Sequence, residues 1–141
     1  MADFDVAFSS IRVEGDERFV SLRRALGVTS FGMNLIALAP GQRGRIHRHE
    51  RQEEVYVVLE GELTLALGAG DERVLGTGAV VRVGPAVRRQ LVNADSSPLL
   101  LLALGGAGEH EGRDGRAWES WDEPGEGRPP QEVPLPEDLP R

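Results

Sequence analysis

The order of apolar and polar positions divides the chain into short segments. Over residues 16–27, DERFVSLRRALG, the apolar residues Phe19, Leu22 and Leu26 recur at helical spacing. Asp16 is available as an N-cap and Gly27 as a C-terminal stop, so one short helix is predicted there. Beyond it, apolar or alternating runs cover 30–38, 43–49, 54–60, 62–68, 72–75, 79–83, 87–93 and 98–104. Turn-forming groups separate them, among them Pro40-Gly41, Gly61-Glu62 and Gly84-Pro85. Strands this closely spaced leave no room for crossover helices, which predicts antiparallel pairing and an all-β sandwich or barrel.

The pattern changes toward the C-terminus. From Gly127 the sequence GRPPQEVPLPEDLPR repeats proline without any hydrophobic period, which predicts an extended polyproline-like or disordered strand. Trp118 and Trp121 stand three apart before Pro124, a spacing that predicts one face of a short helical turn and a packing role for both rings. The expected organisation is an N-terminal segment over 1–27, a barrel over 28–108 and an acidic, Pro-rich, irregular tail over 109–141.

With 141 residues the chain suits a single domain. No run approaches the roughly eighteen apolar residues of a membrane-spanning helix, and the start lacks a basic region followed by an apolar core, so a cytoplasmic, non-membrane protein is expected. The net charge of -7 is uneven: residues 1–108 carry 13 acidic and 12 basic side chains, and 109–141 carry 10 and 4. A body without a concentrated basic face argues against nucleic acid as a partner. The absence of cysteine leaves His, Asp and Glu as the only side chains suited to holding a transition metal.

Candidate chemistry lies in IHRHE, where His47 and His49 at i and i+2 on a strand share a face. If residues 50–53 turn between paired antiparallel strands, Glu54 returns to face them, giving two imidazoles and a carboxylate. That donor set suits iron, manganese, nickel or zinc. The competing reading is a solvated edge strand, with His47 flanked by Arg45 and Arg48.

Gly41, His47, His49, Glu54 and Gly61 fit G-x5-H-x-H-x4-E-x6-G, which resembles the first motif of the cupin superfamily at every position. Gly78 to Asn93, GAVVRVGPAVRRQLVN, resembles the second motif, G-x5-P-x-G-x2-H-x3-N. The likeness covers about residues 28 to 105. It implies a jelly-roll β-barrel with an interior metal or ligand site, a small-molecule ligand, and a homodimer paired through outer strands. Because members of this superfamily differ in reaction, the resemblance leaves oxygenation, isomerisation and decarboxylation open for an enzyme, and a binding role open beside them.

The second motif departs from its pattern. Its histidine falls on Arg89, and arginine offers no lone pair to a metal. A guanidinium about 4 Å from a divalent ion is repelled by roughly 8 kcal/mol at an effective dielectric of 20. Three resolutions are open. Metal is held by His47, His49 and Glu54 alone, while Arg89 turns aside or binds an anionic group. Alternatively, Arg89 fills the position, pairs with Glu54, and the barrel binds small anions without metal. In the third, the arginine stabilises a degenerate site and the protein's role is structural or regulatory. Counting by twos places Arg45 beside His47 and Tyr56 beside Glu54, so Arg89, Tyr56 and Arg45 are the candidate substrate-binding residues, with Arg45 and Arg89 suited to a carboxylate or other small anion. Asn93 is expected to tie a turn, and Arg48 and Arg51 to face solvent.

Overall fold

The computed structural model describes residues 4–106 and 114–140. The strands are β1 (Phe19–Ser21), β2 (Gly32–Leu38), β3 (Ile46–His49), β4 (Glu53–Glu60), β5 (Leu63–Gly68), β6 (Asp71–Leu75), β7 (Val80–Val83), β8 (Gln90–Val92), β9 (Leu99–Gly106) and β10 (Gly115–Trp118), with one helix, α1 (Leu22–Leu26). One sheet runs β1-β2-β9-β4-β7, all antiparallel. The other begins β6-β5-β8 and continues through the backbone bridges Arg43↔Val92 and His47↔Arg89 to β3, which pairs with β10. Leu38, Tyr56, Val83, Leu99 and Leu101 from the first sheet pack with Leu63, Leu65 and Leu91 from the second in one buried cluster. The eight expected strands are present within a few residues, in the jelly-roll arrangement that the motifs imply. Among the described residues no helix is long and apolar enough to cross a membrane.

The alternation that predicted the strands is the alternation of burial. In β9, Leu99, Leu101 and Ala103 are buried while Leu100, Leu102 and Leu104 are not. Gly61 closes the β4–β5 turn at φ 83°, and a Cβ there would collide with the Pro98 carbonyl, so the last glycine of the first motif answers to both conformation and space.

Four expectations are corrected. The helix is shorter than 16–27: residues 19–21 form an edge strand against β2, and the N-cap is Ser21, whose hydroxyl accepts from the Arg24 N–H at 3.2 Å, while Gly27 ends the helix at φ 74° as expected. Residues 50–52 are no hairpin turn. β3 and β4 belong to different sheets, so this segment is a corner between layers. Trp118 lies on β10 instead of a helical turn, because Arg116 to Trp118 pair with Ile46 to Arg48. The C-terminal segment supplies that strand and then packs in extended form, with Val133 buried and the Leu139 N–H donating to the Gly41 carbonyl at 2.7 Å. Trp118 is 1% exposed, and the Arg88 guanidinium stacks 3.8 Å from its ring centroid, which fits the expected packing role.

Candidate metal centre

Strand geometry brings the two histidines together. His47 and His49 leave β3 on one face, their ring centroids 5.4 Å apart and their planes 89° to each other. Glu54 reaches them from the facing sheet. Its neighbour across β9 is Gly105, where a Cβ would come within 2.8 Å of Gln52 Oε1, so the missing side chain makes room for the corner. Glu54 Oε1 lies 3.1 Å from His49 Nε2 and 3.5 Å from His47 Nε2, and one ligating atom from each of the three residues fits within 4.8 Å of the others.

The outer nitrogens fix the tautomers. His47 Nδ1 is 3.1 Å from the Arg45 carbonyl and His49 Nδ1 is 2.8 Å from Asp114 Oδ1. Both partners accept only, so each Nδ1 carries a proton, and in the neutral rings each Nε2 presents its lone pair to the interior. His49 Nε2 is buried and makes no well-formed hydrogen bond among the described residues. Two aimed imidazole nitrogens and a carboxylate fit a divalent metal of the iron, manganese, nickel or zinc type.

Arg89 is held from all sides. Its backbone exchanges two hydrogen bonds with His47, both 2.9 Å, and this register sets its side chain beside the histidines. The side chain is fully buried: Nη2 donates to Glu54 Oε1 at 2.5 Å, Nε to the Tyr56 hydroxyl at 3.3 Å, and Nη1 to the Val87 carbonyl at 2.8 Å. Tyr56 in turn donates to Glu54 Oε1 at 2.6 Å. Both residues, expected as ligand contacts, are thus turned onto Glu54. Arg45 spends its Nε on the Val133 carbonyl at 2.6 Å and so ties down the C-terminal segment. Asn93 donates to the Leu38 and Ser97 carbonyls, tying the turn as expected. Arg48, expected in solvent, is largely covered by the C-terminal segment and pairs with Glu126 at 2.8 Å.

Asp114 was not among the sequence candidates. One oxygen accepts from His49 Nδ1 and from Gln52 Nε2 at 2.6 Å, and the other from the Arg51 and Gln52 N–H groups at 3.0 and 2.9 Å. It therefore builds the 50–52 corner and orients His49 at once. Its sequence signal is weak: it directly precedes Gly115, where β10 begins.

The charges reinforce one another. Burial alone would raise the Glu54 pKa, but His47 and His49 outweigh it and hold the carboxyl well below its usual range. Burial would lower His49, yet Glu54 and Asp114 prevail over it and over the opposing charge of Arg89, so its pKa is raised. Asp114 would also rise on burial, and the Gln52 and Arg51 N–H groups, then His49, bring it down. Burial, aided by the Glu54 charge, raises the Tyr56 hydroxyl, which stays a donor. A cavity of about 570 Å³ opens onto this site, with His47, His49, Glu54 and Tyr56 in its wall.

The family described as "Cupin domain" matches residues 34–105, a span that contains both histidines, Glu54 and Arg89. The chain belongs to the cupin family. Among solved structures, a cupin-superfamily sugar phosphate isomerase from Silicibacter pomeroyi is 26% identical, with a TM-score of 0.61 over 72% of this chain and 64% of its own length. A cupin protein from Bacteroides fragilis is also 26% identical, with a TM-score of 0.60 over 74% of this chain and 89% of its own. A Klebsiella pneumoniae protein with a double-stranded β-helix domain shares the fold at 16% identity, TM-score 0.58, over 70% of this chain and 84% of its own. No curated protein matches the chain.

Proposed function

We propose that this cupin handles a small molecule through a divalent metal held by His47, His49 and Glu54. The observation that carries the reading is the pair of outward Nδ1 hydrogen bonds, to the Arg45 carbonyl and Asp114, which leave both Nε2 atoms aimed at Glu54. Arg89 and Tyr56 hold one carboxylate oxygen and so position the group. When bound, the ion supplies Lewis-acid polarisation of a substrate oxygen or redox chemistry, suited to isomerisation, decarboxylation or oxygenation. The isomerase option draws support from the 26% identity to the Silicibacter pomeroyi sugar phosphate isomerase. Exposed Val74 and Val80 on edge strands β6 and β7 support a homodimer, which light scattering tests.

Elemental analysis of untagged protein tests the metal. About one equivalent of iron, manganese, nickel or zinc is expected, and it is lost in Glu54→Ala and His49→Ala, because three ligands leave no spare donor. Metal content unchanged in His49→Ala sinks the assignment. A second reading is favoured by the 2.5 Å Arg89–Glu54 contact: the guanidinium takes the cation's place and the barrel binds its ligand without metal. Wild-type protein that takes up no ion, even after incubation with each of the four, selects that reading.

A further inference from the structure

The cavity wall is strongly basic in an acidic protein. The chain carries a net charge of -7, yet among the described residues Arg18, Arg23, Arg24 and Arg45 line this cavity against one carboxylate, Glu54, which Arg89 already pairs. Among the described residues, two of these arginines hold buried donors that find no acceptor: Arg18 Nη1 and Arg23 Nε make no hydrogen bond there, although neither atom reaches solvent. A buried charged donor left unpaired is costly, and native structures satisfy such groups almost everywhere. Arg18 does have a counter-charge at its other terminal nitrogen, but it is loose: Asp138 lies 3.8 Å from Nη2, with its side chain 56% exposed.

The backbone of both residues is anchored. The Arg18 carbonyl accepts from the Ala37 N–H at 2.9 Å, so the residue is fixed to β2 where the short edge strand begins. Arg23 sits in α1, and its carbonyl accepts the N–H groups of Gly27 and Val28 that end the helix. The N-terminal segment thus contributes arginines to the cavity that β3 and β4 furnish with His47, His49 and Glu54. A volume of about 570 Å³ suits a small metabolite.

We propose that Arg18 and Arg23 form an oxyanion site in this cavity that takes the phosphate group of a small-molecule ligand. Forked guanidinium donors pair with phosphate oxygens two at a time, and several arginines facing a single compensated carboxylate match a dianion better than a monoanion. The loose Asp138 contact is what an incoming phosphate displaces. That the ligand's other end meets the metal rests on the function proposed above, whereas the phosphate contact does not.

The test is calorimetric titration of inorganic phosphate into the full chain after chelator treatment, with metal content measured separately on untreated protein. Saturable binding at one site is expected, weakened about tenfold or more in Arg18→Gln and in Arg23→Gln, as befits loss of a charge-assisted hydrogen bond. Arg73→Gln, on an exposed strand where Arg73 pairs with Asp71, leaves binding unchanged. The proposal is overturned by no saturable binding, by equal loss in Arg73→Gln, or by full binding in both cavity variants. Acetate binding as tightly as phosphate overturns the phosphate assignment. Should Arg18→Gln fail to fold, Arg23→Gln carries the test, since α1 is anchored to the core through Leu22 and not through Arg23. Phosphate binding in a protein that takes up no metal defeats the metal reading alone.

Discussion

Strand β3 meets the residue just before β8 at the backbone pair His47 and Arg89, and the two side chains enter the same interior with opposite consequences. On the β3 side, each imidazole turns a protonated nitrogen outward and keeps a lone pair for the cavity. On the β8 side, the guanidinium brings donors only, and each of its three nitrogens finds an acceptor in Glu54, Tyr56 or the carbonyls around Val87. Strand register decides where a side chain arrives. The residue type decides whether it offers a lone pair to the cavity or becomes an electrostatic prop for the carboxylate next door.

That contrast can be broken most forcefully from the arginine side. Arg89→Ala leaves a buried carboxylate without its partner and is expected to cost about 3–5 kcal/mol in urea denaturation. A loss no larger than that of a surface ion pair, about 1 kcal/mol or less, makes Arg89 a bystander. On the histidine side, Asp114→Asn removes the carboxylate that orients His49 and is expected to weaken metal affinity by about 10 to 100-fold. Affinity unchanged in that variant means that His49 needs no orienting partner.

Acid and alkali sharpen the same contrast in metal-free protein. Glu54 and Asp114 have lowered pKa values when folded, so their stabilisation is complete above the ordinary carboxyl range, near about 4, and is lost as the pH falls through the lowered values. His49 has a raised value, so its stabilisation is complete below about 6.5 and is lost as the pH rises through the raised value. The urea midpoint therefore peaks between the two ranges, and Asp114→Asn flattens both limbs. A wild-type midpoint that climbs steadily above pH 7 contradicts the raised His49 value. The smallest effect belongs to Ser21→Ala, which removes the α1 cap and is expected to cost about 1 kcal/mol or less without altering metal content.

Most of the sheet architecture was legible because burial follows period two, as in β9, and because glycine and proline mark the turns. The triad was legible from i, i+2 parity and the motif spacing, although the route was not: Glu54 reaches the histidines across the barrel, not along a hairpin. Asp114 could not be read because its partners lie 62 to 65 residues away, and nothing in a run of acidic residues singles out one that turns inward. The destination of Arg89 was half legible. Parity turned it inward, but its satisfaction by Tyr56 and loop carbonyls depends on tertiary packing that no local pattern encodes. Phe19 looked helical because one edge strand and one helical turn abut there, and sheet pairing with Ile36 overrode the spacing.

The distance from His49 to Asp114 also bears on how the protein matures during synthesis. Two histidines and a glutamate leave the ribosome long before the aspartate that steadies them, and the 114–139 stretch must still lay β10 against β3 and fasten Leu139 to Gly41. Pairings this remote in sequence form late, after the local turns. The nascent chain therefore passes through a stage with His47, His49 and Glu54 made but His49 unsteadied, and the cluster takes its final form only once Asp114 has docked.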